Sequence, residues 1–409
     1  MWRLSSLNRC GKQDGVTEKT NAKMVMNTMD KKEIQAALMQ LICTMLKGEG
    51  HGTSAGEIPD SESIAEIYLL AKKHSLGHLV SRFVFINKID VEEELLAKLR
   101  MEELMSVYKH ERMKYAFHEI CEILENAKVD YLPLKGSAIR SYYPDESMRT
   151  SCDIDILIHE SDLNRAVLAL KNKGYQGGER HYHDVSLYSP NKIHLELHFS
   201  IQENIEALDA VLKDAWEYAV QVDGCCYDFR KEFFVFQMYA HMAYHFLSGG
   251  CGIRSLMDIW IMEHNMQVSY SVAEKLLKKA GIYKFASQMS EIVNKCFDER
   301  EVSDPVMEYI WRGGTYGSVQ NNTTIQTIQL GGMTSYVWRR IFPPYKSMVV
   351  SYPVLCKIPL LLPACWILRW IKAISSGKTQ QLSSEITWAN NVSEDEIAEI
   401  KKILMRLGL

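Results

Sequence analysis

No C-x-x-C pair occurs among the ten cysteines, and only Cys225 and Cys226 are adjacent. Neither a zinc cluster nor a disulfide framework is therefore expected. Reduced thiols in a cytoplasmic protein are the simpler account. Basic charge is not in excess either. The 47 Lys and Arg against 51 Asp and Glu leave a formal net charge of -4, which speaks against a dedicated nucleic-acid surface and leaves only a local basic groove. The N-terminal stretch carries Arg3, Arg9, Lys12, Lys19 and Lys23 but lacks the apolar segment of a signal peptide, so 1–29 reads as a disordered leader. Also missing is an uninterrupted apolar run of the roughly 20 residues that a spanning helix needs. The nearest candidate, Met348 to Leu368, contains Lys357 and is broken by Pro353, Pro359 and Pro363, which excludes a transmembrane helix. The simpler expectation for this run is burial against a neighbouring domain. The second is peripheral contact with an anionic membrane, because Arg339, Arg340, Lys346, Arg369 and Lys372 flank it. No internal repeat or low-complexity tract occurs.

What is present is globular in texture: 47% of the 409 residues are hydrophobic and 24% charged, enough for two or three packed units. From 30 to 128 apolar residues return at helical spacing, as in Ile34, Leu38, Leu41, Ile42 and Met45. Asp30, then Asp60 or Ser61, then Asp90 are the expected caps of three helices, the last of them long. At 129 the pattern changes. Val129 to Leu134 and Ile154 to Ile158 read as strands, with a short helix over Ala138 to Tyr143 between them. Ser161 is the expected cap of a helix closed by Gly174. Val185 to Tyr188 and Ile193 to Phe199 then form a hairpin across Ser189-Pro190-Asn191-Lys192. The expected fold is α+β: a small mixed-sheet core over 129–202, flanked by helical regions at 30–128 and 203–325 and an apolar, helical segment at 326–409. Ser393 to Glu396 reads as a capping box for a final helix.

The chemistry concentrates in the core. Strand alternation puts Asp153 and Asp155 on one face while Ile154 and Ile156 point to the other, and it groups His194, Glu196 and His198 in the same way. If the two strands pair, three carboxylates converge, and such a cluster calls for a hard cation shared with substrate phosphates. The Gly136-Ser137 turn at the mouth of a helix offers backbone N–H groups and a hydroxyl to an anion. Lys135 and Arg149, in the same segment, can add positive charge to the phosphate site or serve as surface or ion-paired charges.

Leu134-Lys135-Gly136-Ser137, Arg149 to Ile158 with its Asp153-Ile154-Asp155 core, and His194-Leu195-Glu196-Leu197-His198 together resemble the polymerase-β-like nucleotidyltransferase superfamily. The nearer likeness is to a poorly characterised bacterial nucleotidyltransferase family with an LKG…R…DID signature. The core motifs cover less than a quarter of the chain. Ala71-Lys72-Lys73-His74, His241 and His245 before Arg254-Ser255-Leu256-Met257-Asp258, and Arg340-Ile341-Phe342-Pro343-Pro344 extend the similarity over most of it. The resemblance implies two-metal transfer of an NMP from an NTP, of unspecified base, to an unidentified acceptor with release of pyrophosphate. Asp153, Asp155 and Glu196 would be the catalytic residues and the ligands of two Mg2+ ions, with Mn2+ as the substitute. Lys135, Gly136, Ser137 and Arg149 would bind the nucleotide. Where many members carry Asp at the third carboxylate, this chain has the longer Glu196. The alternative is a catalytically silent nucleotide-binding or interaction module of the same fold.

Other polar groups have plainer readings. His194 and His198 are pleat neighbours of Glu196, and their spacing is not that of a zinc hydrolase. His181, His183 and Asp184 read as surface chemistry. His241 and His245, on a face with Gln237 and Ser248, either border the nucleotide pocket or are hydrogen-bonded interdomain histidines. Gly249-Gly250-Cys251-Gly252 reads as a flexible connection. Arg254 and Asp258 should pair along their helix, with Arg254 an outside candidate for substrate contact.

Overall fold

The computed structural model describes residues 30–48, 60–203, 205–298, 303–315, 317–375 and 392–409; the expected leader, 1–29, lies outside them. Among the described residues four helices precede the first strand, where the sequence pattern predicts three. In α1 (Lys31–Leu46) Asp30 accepts from the N–H groups of Lys32 and Glu33, and the Glu33 carboxylate accepts from the Asp30 N–H, a reciprocal cap. Asp60 caps α2 (Ser61–Lys73) through the Ser63 N–H. The additional helix is α3 (Gly77–Asn87). Glycine marks only its first position, Gly77, and the turns on either side are made by Ser75 and Lys88, which take left-handed backbone at φ 57° and 51°. The long α4 (Glu93–Asn126) begins after Glu92 instead of being capped by Asp90. Val91 is buried in the core, and the Glu92 N–H donates to Ser61 Oγ, so packing against α2 sets where this helix starts.

The sheet has seven strands: β1 (Tyr131–Pro133), β2 (Asp153–Ile158), β3 (Gln176–Arg180), β4 (Asp184–Tyr188), β5 (His194–His198), β6 (Ala219–Asp223) and β7 (Cys226–Phe229). Their order is β3-β4-β5-β2-β1-β7-β6. The β4–β5 pair is the expected hairpin. The β2–β5 pair is parallel, so the chain must cross over between them. The short α5 (Gly136–Ile139) follows β1, and α6 (Leu163–Asn172) follows β2. Ser161 does not cap α6: it sits inside a 3-10 turn, Glu160–Asp162, that leads into the helix. Gly174 does close it, at φ 88°. One sheet face, formed by Ile154, Ile156, Ile158, Leu195 and Leu197, packs against Ile120 and Leu124 of α4 and Leu163, Ala166 and Leu170 of α6. The alternate residues of β2 and β5 are thereby turned away from this core. The mixed α+β expectation holds.

After α7 (Glu206–Leu212) and the β6–β7 hairpin come α8 (Lys231–Leu247), α9 (Ile253–His264), α10 (Glu274–Lys279) and α11 (Tyr283–Phe297). They share one continuous core with α1 to α3 and the last helix, Glu394–Leu407. The Gly249 to Gly252 connection is not a loose loop. All four residues are buried, and Gly249 and Gly250 take φ 119° against Gly317 and Ser318.

Beyond α12 (Pro305–Gly313) and α13 (Val319–Gln329) lie α14 (Met333–Ile341), α15 (Tyr345–Ser351) and α16 (Leu362–Ser375). The apolar run is not buried against a neighbouring domain. Met348, Leu355 and Cys365 form a small core of their own, while Leu360 is 90% exposed and Ile367, Leu368, Ile371 and Ile374 are each more than half exposed. The cause lies in α16 itself: its tryptophans turn inward to cap backbone carbonyls and leave the aliphatic stripe outside. Trp366 Nε1–H donates to Pro343 O and Trp370 Nε1–H to Ile341 O. No helix among the described residues is long and apolar enough to cross a membrane.

Candidate active site

The parallel register of β2 and β5 sets Asp153 beside His194 and Asp155 beside Glu196, with His198 one step further along. The three carboxylates that the sequence grouped by alternation alone thus meet on the sheet face opposite α4 and α6. His198 Nε2–H donates to Asp155 Oδ1 at 2.9 Å and lies 3.7 Å from Glu196 Oε2. His194 Nε2 shares a 2.6 Å hydrogen bond with Ser186 Oγ and is 3.9 Å from Glu196 Oε1. Both histidines are therefore built into the carboxylate cluster as more than pleat neighbours. His183 stacks on His198 with ring centroids 5.6 Å apart, so it belongs to this cluster and not to surface chemistry.

Lys135 sits at the electrostatic centre. Its Nζ is 3.7 Å from Asp155 Oδ1. Burial works against its charge, but Asp155, Glu203, Glu196 and Asp153 together hold it above the ordinary lysine range. Its backbone is held at φ 49°, ψ -113°, a conformation that L residues rarely adopt and that costs on the order of 1–3 kcal/mol. Burial also works against the charge of Asp155, yet Lys135 and His198 outweigh it and keep that carboxyl below its usual range. Asp153 is shifted upward by burial and by Asp155. Glu196 is pushed up to about 7 by burial, then by Asp155, against the opposing pull of His198.

The Gly136-Ser137 turn is close by, and much of its backbone is already committed. Ser137 N–H donates to Leu134 O, and the N–H groups of Ala138 and Ile139 to Lys135 O. The donors left for an anion narrow to the Gly136 N–H and the Ser137 hydroxyl. A Cβ at Gly136 would meet Arg149 Nη1 at 3.0 Å, so the glycine is required by the guanidinium lying against it. Arg149 is 7% exposed. Its Nε and Nη2 donate to Asp258 at 2.8 and 2.9 Å, and Nη1 donates to Thr150 O. Asp258 also accepts from the Tyr143 hydroxyl at 2.6 Å. The expected Arg254–Asp258 pair is thus replaced by Arg149–Asp258, because the bidentate fork of Arg149 meets the carboxylate edge-on. Arg254 instead donates to Thr150 O from the other side.

Sequence reasoning missed Glu203, which follows β5 outside any strand. It is 7% exposed. Its Oε1 is 2.9 Å from His241 Nδ1, and His241 Nε2 is 3.0 Å from His245 Nε2. Burial and then Lys135 hold His241 well below the usual histidine range, and burial and then His241 do the same to His245. With both rings neutral, His241 donates from Nδ1 to Glu203 and accepts at Nε2 from His245. The hydrogen-bonded reading of these histidines holds where helix α8 meets the loop after β5, and His241 also feels the charges of Lys135 and Asp155. Only the adjacency of His241 and His245 along α8 was visible in sequence, since nothing local marks Glu203 as their partner.

No curated protein and no solved structure matches the chain. A family model described as "Uncharacterised nucleotidyltransferase" matches residues 60–298, more than half of the chain, from α2 through the carboxylate strands to the end of α11. With its strand-borne acids and glycine-serine turn inside that span, the chain belongs to this nucleotidyltransferase family.

Proposed function

We propose that the protein transfers a nucleoside monophosphate from an NTP to an acceptor hydroxyl or phosphate, releasing pyrophosphate, at the face formed by Asp153, Asp155 and Glu196. The carrying observation is the β2–β5 register, which brings these carboxylates together from two distant segments. The donor set suits divalent cations. Asp153, His194 and Glu196, and again Asp155, Glu196 and His198, keep their candidate ligand atoms within 4.8 Å of one another. Carboxylate oxygens favour Mg2+, and the imidazoles widen the choice to Mn2+. Divalent ions held by these residues would neutralise triphosphate charge and favour in-line displacement at the α-phosphorus.

The protein's own groups have distinct tasks in this reading. Lys135 faces the leaving phosphates, and the Gly136 N–H and Ser137 hydroxyl orient them. Glu196 accepts the acceptor proton as the acceptor oxygen bonds to the α-phosphorus and the bond to the α,β-bridging oxygen breaks. His198 fixes the orientation of Asp155. Arg149 acts through the turn it supports.

The test is to incubate the full-length protein with α-labelled NTPs, Mg2+ or Mn2+, and cell extract as the source of acceptors, following label transfer and pyrophosphate. Asp155→Ala should lower transfer on the order of a thousandfold with an unchanged unfolding profile. Full activity in that variant overturns the site. Cation-dependent NTP binding without label transfer to any acceptor would favour the silent nucleotide-binding module.

A further inference from the structure

The segment 333–375 is built inside out. Along α16, Ile367, Leu368, Ile371 and Ile374 recur at helical spacing on the exposed side, and Leu360 in the turn before the helix is 90% exposed. The inner side carries Cys365, Trp366 and Trp370, which close on Phe342 and on the small core around Met348 and Leu355. An aliphatic stripe of this extent on a soluble surface marks a docking face.

Charge identifies the occupant. From 309 to 384 the chain contains no Asp or Glu, while Arg339, Arg340, Lys346, Lys357, Arg369 and Lys372 all fall in 333–375. Four of them, Arg339, Lys346, Lys357 and Lys372, are exposed. An apolar stripe whose own segment carries cations and no acid complements an anionic lipid surface. Length argues for lying in the interface and not spanning it. The 14 residues of α16 extend about 21 Å, short of the roughly 30 Å hydrocarbon core.

We propose that segment 333–375 seats the protein on an anionic lipid bilayer, with the aliphatic stripe of α16 in the headgroup boundary and the surrounding Lys and Arg on lipid phosphates. This goes beyond nucleotidyl transfer and does not depend on it.

The experiment is flotation of the full-length protein with phosphatidylcholine vesicles, with and without phosphatidylserine. Binding is expected only with phosphatidylserine and should weaken with salt. Arg339→Gln and Lys372→Gln should each reduce partition about fivefold. Ile367→Glu combined with Ile371→Glu should reduce it more than tenfold without changing the melting temperature, because both side chains stand outside the core. Three results overturn the proposal: no flotation on anionic vesicles, flotation indifferent to the Ile367→Glu/Ile371→Glu pair, or a vesicle-independent dimer that the same pair dissolves. The last would assign the face to a second copy of the chain.

Discussion

The Arg149–Asp258 pair shows how a residue chosen for one role is held in another. Arg149 has the charge and position to meet a phosphate, yet its guanidinium lies against Gly136 and is spent on Asp258 and Thr150 O. Asp258→Ala leaves a buried cation uncompensated and should lower the unfolding free energy by about 3–5 kcal/mol. Urea titration measures it, and a loss under about 1 kcal/mol would show that the pair is dispensable. The carboxylate cluster predicts the opposite sign. Asp153 is half-buried beside Asp155, and both desolvation and that neighbour oppose its charge, so Asp153→Asn should stabilise the cation-free protein by about 1 kcal/mol while abolishing stabilisation by Mg2+ or Mn2+. Melting curves with and without cation test both halves. An Asp153→Asn protein that still gains stability from the cation would remove Asp153 from the ligand set.

Among the elements, the connection between α8 and α9 gives a graded test. Gly317 takes φ 78°, and a Cβ there would stand 2.4 Å from the Gly249 carbonyl carbon, whereas Gly281, at φ 73°, has nothing within 4 Å of the added atom. Gly281→Ala therefore carries the backbone penalty alone, about 1 kcal/mol, and Gly317→Ala adds a clash for a total of about 2–4 kcal/mol. Equal losses in denaturant would show that the glycine contact yields without cost. The same scale explains what could be read in advance. Strands β2 and β5 were legible because acids or histidines alternate with large aliphatics, a period that only an extended chain turns into two faces. The α1, α2 and final caps were legible from Asp30, Asp60 and Ser393, which all act on their helix N–H groups. Strand β3, with its adjacent Gly177 and Gly178, and the mostly exposed β6 have no buried face to impose a pattern. Helix α3 was hidden because Ser75 and Lys88 make its turns at positive φ without glycine. In the site the carboxylates were legible, but Glu203 and the partner of Arg149 were not, since each contact joins segments with no shared local signal.

For the whole molecule, two buried imidazoles set an acid limit to stability. Burial, followed by Lys73, holds His74 down to about 4. Burial does the same to His78, against the opposing pull of its hydrogen bond to Met148 O. The unfolded chain binds these protons at ordinary histidine pKa and the folded chain does not, so stability rises with pH across that interval. It is whole above about 6.5, falls as pH drops toward 4, and levels off below, with each group contributing on the order of 3 kcal/mol. His78→Gln keeps a donor for Met148 O and should lose its share of this slope, so its stability deficit should shrink as pH falls. A deficit constant with pH would sink the assignment.

The crossover between β2 and β5 has a consequence in time. Asp153 and Asp155 share one strand from the moment it forms, but Glu196 reaches them only after α6, β3 and β4 have been laid down and the parallel pair has closed. Such non-local pairings pay their loop entropy before they are rewarded and form late. A cation that needs all three acids would therefore bind only the finished sheet, and its affinity would serve as a checkpoint on folding, drawing the last strand into register as it binds.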